Sequence, residues 1–173
     1  MARSIKKRTN IRILSLDFDR DESERREDDK LSRVEAQTRR EMNLLLRAVR
    51  RCACIEVLIL WGPSQDYEFF DKEGWRALCD VVLHTSLERL EVVRCGLGDS
   101  EAKHLATSLT NNTTLRRLGL QLNRIGDDGV RALSDVLQSN NTMEMLYFMD
   151  NNYSESTGYR VRHKLKHITR LFV

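Results

Sequence analysis

The feature that most constrains this chain is a spacing. Leu115, Leu118 and Leu120 stand three and then two residues apart and are followed by Asn123 and Ile125, a rhythm that matches neither one face of a helix nor a long alternating strand. The same rhythm recurs 28 residues upstream as Leu87, Leu90, Val92, Cys95 and Leu97, and 28 residues downstream as Met143, Leu146, Phe148, Asn151 and Tyr153. Between the motifs Leu105 aligns with Leu133, Leu109 with Leu137 and Asn112 with Asn140. Registered copies at one period define units that cannot bury their apolar sides alone and must stack to make a core.

Weaker copies extend the pattern. Ile55, Leu58 and Leu60 lie 32 residues before Leu87, and Ile11, Leu14 and Leu16, with Asp19 in the asparagine slot, lie 44 residues before Ile55. Most of that surplus is the polar run DRDESERREDDKLSR. The expected organisation is a basic N-terminal segment at 1–10 and a single repeat domain at 11–173, with a charged insertion at about 19–33, read as a solvated loop. Leu45 and Val49 return to helical positions before Ile55, and Val161 and Leu165 keep the helix register at the far end. Leu171 falls 28 residues after Met143, which predicts the start of a further motif there.

The form LxxLxLxxN/CxL, then a turn, a helix and an Asn-x-Thr, resembles the ribonuclease-inhibitor-like class of leucine-rich repeat. The resemblance implies an α/β solenoid of about five units, with a curved parallel sheet on the concave face and helices on the convex face. In such a unit Leu118 and Leu120 point inward, Ile125 closes the turn, and Leu133 and Leu137 pack on them from one helix face. Asn123 and Asn151 sit where the backbone leaves the strand, where an amide can pair turn groups that would otherwise be buried unsatisfied. Cys95 in that slot matches the Asn/Cys alternation of the class; Pro63 and Asp19 depart from it.

Other classes of function find little support. A net charge of +3 is too small to argue a polyanion partner by itself, and aromatic content is 6 %. No stretch approaches the roughly 20 apolar residues that cross a bilayer, and no signal core follows the basic start, so cytoplasm or nucleus is expected. Cys52 and Cys54 lack a second paired cluster with zinc spacing, so neither a metal nor any other cofactor is expected; the reading is reduced thiols, with Cys79 and Cys95 in the core. Without a secretory route the Asn-x-Thr matches carry no glycosylation meaning. The glycines of GLGDSE and GDDG are repeat turns rather than a phosphate loop, and no nucleophile elbow occurs. His163 and His167, four apart, read as two exposed histidines on the last helix rather than a metal pair.

The concave face is where such a chain acquires an identity. Residues between the motif leucines point away from the core, and positions 28 apart become lateral neighbours at about 5 Å per strand. The free positions hold Val57, Ile59, Trp61, Arg89, Glu91, Val93, Arg117, Gln121, Leu122, Met145, Tyr147 and Met149. Apolar and aromatic side chains with arginine on a face that should be polar mark a partner-binding surface. Two segments compete to cover it: GPSQDYEFFDKEGW at the N-terminal end, and the C-terminal tail over Met145, Tyr147 and Met149. Residues 156–173 carry five bases and no acid, so Arg160, Arg162, Lys164 and Lys166 offer an edge for an acidic partner, while nucleic acid is disfavoured by the lack of interleaved aromatics. The expected function is non-catalytic binding of another protein. Two further resemblances stay open. Ran GTPase-activating proteins share this repeat class and would imply regulation of nucleotide hydrolysis through a loop Asn or Arg, although that family ends acidic. Nucleotide-binding leucine-rich-repeat sensors would make the chain a fragment, although no nucleotide-binding module is present.

Overall fold

Each motif copy becomes a short strand and each linking segment a helix. The computed structural model describes residues 12–18, 28–52, 54–63 and 69–173, with side chains in the first helix described from residue 37. The basic segment at 1–10 and residues 19–27 of the charged insertion lie outside the described residues. In chain order the elements are β1 Ile13–Asp17, α1 Asp28–Arg50, β2 Val57–Trp61, α2 Lys72–His84, β3 Arg89–Val93, α3 Asp99–Leu109, β4 Arg117–Gly119, α4 Asp127–Leu137, β5 Met145–Tyr147, α5 Glu155–Lys164 and β6 Arg170–Phe172. The strands form one six-stranded sheet in sequential order, every pair parallel. Among the described residues no helix is long and apolar enough to cross a membrane.

The period in the sequence is the register of the sheet. Arg89 pairs with Arg117 and Arg117 with Met145, and the two longer units add their surplus between strands without shifting the pairing of Ile13 with Val57 and Val57 with Arg89. Leu58, Leu60, Leu90, Val92, Leu118, Leu120, Leu146 and Phe148 are all fully buried between sheet and helices. Leu105, Leu109, Leu133, Leu137, Val161 and Leu165 close the core from the helix side, as does Cys79, and Cys95 is buried at the turn after β3. Burial pushes the Cys79 thiol up to about 11, and Cys95 is raised further by the same cause; neither is available as a thiolate nucleophile.

Four expectations need correction. The charged insertion is not wholly a loop, because residues 28–33 already belong to α1, which at 23 residues is far longer than the other helices. Its core face is displaced: Met42, Leu46 and Val49 are buried, whereas Leu45 is only partly so. The last unit is short, since Leu171 pairs with Leu146 rather than Met143, and Ile168, 4 % exposed, takes the slot expected for Leu171. The cause is the missing asparagine turn. Asn112 Oδ1 accepts from the backbone N–H of Thr114 and Leu115, and Asn140 Oδ1 from those of Thr142 and Met143. No Asn follows Leu165, so the chain turns sooner. His167 bridges to the Leu137 carbonyl at 3.1 Å from beyond the end of α5, so it does not share a helix with His163.

A second asparagine ladder runs through the interior. Asn123 is fully buried; its Oδ1 accepts from Cys95 N at 2.9 Å and Leu97 N at 3.2 Å, and its Nδ2 donates to the carbonyls of Val92, Leu120 and Gln121 at 2.8 to 3.1 Å. Asn151 repeats this one unit on, accepting from Ile125 N at 3.0 Å and donating to the Leu120 and Phe148 carbonyls. Cys95 offers one weak donor, its Sγ lying 3.2 Å from the Val93 carbonyl. Replacing Asn123 with Ala strands two buried N–H groups, each costing about 1–3 kcal/mol. Urea unfolding followed by circular dichroism is expected to show a loss of about 2–4 kcal/mol for Asn123→Ala.

The helix starts are tied across units by carboxylates. Asp127 Oδ1 accepts from Ser154 N at 2.7 Å and from the Ser154 hydroxyl at 3.0 Å. The Ser154 N–H, then the Thr157 hydroxyl, hold the Asp127 carboxyl below its ordinary 3.8. A carboxylate depressed in the folded state stabilises above its unfolded pKa, and that contribution is lost as pH falls through the lower folded value. The stability difference between wild type and Asp127→Asn is therefore expected to be constant above about pH 5 and to shrink toward zero at lower pH, read from denaturation midpoints across an acid series.

Candidate functional site

The concave face takes its shape from the alternation of side chains across the strands. Its rows continue past the strand ends, because Phe18 N donates to the Trp61 carbonyl, Gly62 N to Val93, Arg94 N to Gln121 and Leu122 N to Met149 at 2.8 to 3.3 Å. That edge ladder has a backbone requirement. Arg94, Leu122 and Asp150, 28 residues apart, all adopt the left-handed region at φ 55°, 57° and 58°, a conformation that costs an L residue about 1–2 kcal/mol. The three units from β3 to β5 share it, whereas Phe18 and Gly62 on the same ladder do not, so Leu122 is not singled out by its backbone.

Twelve residues were expected on this face, and the structure does not place them all alike. Val57 and Ile59 are half-buried on β2 and Trp61 is 36 % exposed, with Ile13 of β1 beside Val57 in register. Met145 and Tyr147 are half-buried on β5 and Met149 is exposed. Between these apolar ends the face is polar. Arg89 donates to Glu91 Oε1 from Nε at 2.8 Å and from Nη2 at 2.6 Å, with the Glu91 side chain only 14 % exposed. Gly119 is the low point: a Cβ there would meet Glu91 Cγ and Gln121 Oε1, each at 2.9 Å, so both side chains lean into space that only glycine leaves open. Gln121 Oε1 is buried without a donor among the described residues, and Arg117 stands exposed beside them. The apolar surface is therefore two patches, on β2 and β5, separated by about 15 Å of polar sheet.

Val93 corrects the expectation of an accessible residue. It is fully buried yet stands outside the core cluster of sheet and helices. Its register neighbour on β2 is Trp61, so the valine lies beneath the concave surface rather than on it and offers a partner no area. Gln121, Leu122 and Met149 lie past the ends of β4 and β5, on the edge ladder instead of the strands.

The two proposed covers behave differently. Phe69 and Phe70 turn into the core, with ring centroids of Phe18 and Phe69 4.8 Å apart and of Phe70 and Trp75 5.8 Å apart. They leave Trp61 exposed; residues 64–68 lie outside the described residues. At the other end Phe172 of β6 stacks on Tyr147 with centroids 4.8 Å apart and planes 4° from parallel. Phe172 remains 41 % exposed, so the tail passes the apolar surface one strand outward instead of closing it. Sequence reasoning missed Phe172 because the three-residue shortening of the last unit moves it onto the Tyr147 row; the absent Asn-x-Thr was the available signal.

The basic C-terminal edge is partly engaged. Lys164 pairs with Asp135 of α4 and Arg162 donates to the Val173 carbonyl, while Arg160 and Lys166 are exposed. His163 packs on Tyr159 with ring centroids 4.4 Å apart. Cys52 and Cys54 lie 3.7 Å apart between sulfurs as free thiols; the hydrogen bond to Cys54, then burial, raises the Cys52 thiol.

One family model agrees with this architecture. The family model described as "Leucine Rich repeat" matches residues 111–134. Among solved structures the chain is similar to leiomodin-1 actin-binding site 2, at 18 % identity, TM-score 0.48 and coverage of 84 % of this chain and 77 % of that one. It is also similar to the tropomodulin C-terminal domain from Caenorhabditis elegans, at 13 % identity, TM-score 0.45 and coverage of 74 % and 91 %. No curated protein sequence matches. Repeated strand–helix units stacked into one parallel sheet define a solenoid. The fold of this chain is a leucine-rich repeat solenoid, with residues 111–134 matching the repeat model.

The backbone at Leu122 allows its side chain to be tested apart from folding. Asn tolerates the left-handed region and Val does not. Leu122→Asn is expected to unfold within about 0.5 kcal/mol of wild type, and Leu122→Val to lose about 1–2 kcal/mol, measured by urea denaturation.

Proposed function

We propose that this chain is a non-catalytic interaction module that binds a partner protein across its concave sheet. The observation that carries this reading is the surface between β2 and β5. Val57, Ile59 and Trp61 at one end and Met145, Tyr147 and Met149 at the other offer apolar anchors, and the polar centre holds a buried acceptor, Gln121 Oε1, with no donor among the described residues. Partner interfaces combine such anchors with polar groups that are satisfied on binding. A partner that presents two apolar side chains about 15 Å apart, with a donor between them for Gln121 and an acid for Arg117, complements what is displayed. Arg89 is already paired with Glu91 and contributes orientation rather than a free charge.

The test compares capture from native lysate by wild type and by a folded Trp61→Ala, Leu122→Asp, Tyr147→Ala variant. Proteins retained by wild type and lost from the variant are expected. Identical captured sets would reject the concave face, and faster GTP hydrolysis by a Ran-like GTPase in the presence of the wild-type chain would reject the non-catalytic assignment. A narrower outcome follows for the centre: Gln121→Leu removes the unsatisfied acceptor, so it is expected to leave folding stability unchanged or raised and to weaken partner binding by about tenfold in calorimetry.

A further inference from the structure

The start of each helix from α2 to α5 is tied to the helix before it, except at the junction of α2 with α3. Asn43 of α1 donates to both Asp71 oxygens at 3.2 and 3.3 Å. Asp99 Oδ1 accepts from Gly126 N at 2.7 Å and Gly129 N at 2.9 Å, and Asp127 holds Ser154. Gly129 permits the approach of α4 to α3, since a Cβ there would meet Ala102 Cβ at 2.8 Å. The position 28 residues earlier is Glu101, and the forward tie is absent as well. Asp71 turns back on its own helix and accepts from Gly74 N at 2.7 Å, while Gly98 N donates to Glu101 Oε2 at 3.1 Å.

The far ends of α2 and α3 stay joined, with Asn112 Nδ2 donating to the Val82 carbonyl at 2.8 Å. Untied at their starts, the two helices flank a cleft of about 470 Å³, within the range of small-molecule sites. Phe70, Trp75 and Leu97 supply its apolar lining. Trp75 is 3 % exposed, and its indole Nε1 is buried with no acceptor among the described residues. A buried donor left unpaired in the wall of a cleft is matched by an acceptor brought from outside. Two acids and two bases line the mouth and balance in formal charge, but they differ in how they are held. Asp71 and Glu101 are occupied by backbone N–H groups, whereas Lys72 and Arg76 are exposed and pair with no acid among the described residues. Lys72, Trp75 and Arg76 stand at i, i+3 and i+4 on α2 and so share one face.

We infer that this cleft binds a small organic carboxylate bearing an apolar group of aromatic size. The ring lies against Phe70, Trp75 and Leu97, and the carboxylate accepts from Trp75 Nε1 under the charges of Lys72 and Arg76. Nε1 is closed to solvent in this conformation, so the carboxylate reaches it with a side-chain rearrangement in the cleft wall. The site is separate from the concave face and does not rest on the function proposed for it.

The chain has two tryptophans, so ¹⁵N-labelled protein gives two indole N–H signals, assigned with Trp61→Phe. Titration with 4-phenylbutyrate is expected to move the Trp75 signal saturably, with an apparent Kd below about 1 mM, and to leave the Trp61 signal in place. The neutral isostere 4-phenylbutanol is expected to bind at least about tenfold more weakly, and inorganic phosphate not to bind. Lys72→Gln with Arg76→Gln is expected to weaken phenylbutyrate by about tenfold, and Ser100→Leu, which narrows the cleft from the α3 side, to abolish the shift. Equal binding of the alcohol and the carboxylate, an unmoved Trp75 signal, or an unchanged affinity in the Lys72/Arg76 variant would overturn the inference. The concave-face variant Trp61→Ala is expected to bind phenylbutyrate like wild type, which keeps the two sites' outcomes distinct.

Discussion

The structure depends on what happens where each strand ends. A parallel strand that leaves the sheet for a turn above the core carries backbone N–H and carbonyl groups into a region without water, and each must find a partner there. Asn123 and Asn151 meet that requirement by accepting with one side of the amide and donating with the other. Their partners belong to the preceding unit as well as their own, so the same bonds that satisfy a turn also set the distance and angle between neighbouring units. The left-handed residues Arg94, Leu122 and Asp150 sit one position before this slot. Their strain is compensated by the bonds beside them, and their repetition makes the edge of the concave face regular.

A leucine spacing announces this arrangement because the requirements are local. Leu118, Leu120, Asn123 and Ile125 have counterparts with the same duty in the following unit, and the leucine slots in the preceding ones, so their order in the sequence is legible as a stacked parallel sheet before any coordinate is known. What was not legible arises from lengths, not residue types. The three residues missing after α5 move Phe172 onto Tyr147, and the long α1 shifts its buried face from Leu45 to Leu46. Alternation alone placed Val93 on the surface, because a period of two tells which side of the sheet a residue faces and not how deeply its neighbours bury it. For the concave site, the membership of its rows was readable, while its division into two apolar patches around the Arg89–Glu91 pair and Gly119 needed the lateral register.

Departures from the repeat are the informative positions, since a repeat by itself says only that a solenoid is being built. Glu101 stands where the next unit has Gly129, and Asp71 caps its own helix where Asp99 reaches forward to Gly126. Either change alone would loosen one junction; together they leave the starts of α2 and α3 without a tie. The 32-residue unit that carries α2 also carries Phe69, Phe70 and Trp75, whose rings run from the end of β1 to the cleft. These aromatics stand 28 residues before Leu97, Gly98 and Lys103, so residue type at regular positions, and not the four-residue surplus that precedes them, gives a lining that the next unit lacks.

Loosening the helix layer leaves the sheet intact, and that separation matters for both surfaces. β2 and β3 pair over five residues, from Val57 with Arg89 to Trp61 with Val93, whereas β3 and β4 pair over three. The junction that is open on the convex side is therefore among the most extensively bonded on the concave side. Leu58, Leu60, Leu90 and Val92 lie between the two layers and are fully buried, so a ligand seated against Trp75 would meet packed leucine and valine before it could disturb Ile59 or Glu91. Close-packed interiors transmit strain, but only where an element has a second arrangement available to it. A sheet held by paired backbone groups on every strand has none of low cost, and occupancy of one surface is expected to leave the other unchanged.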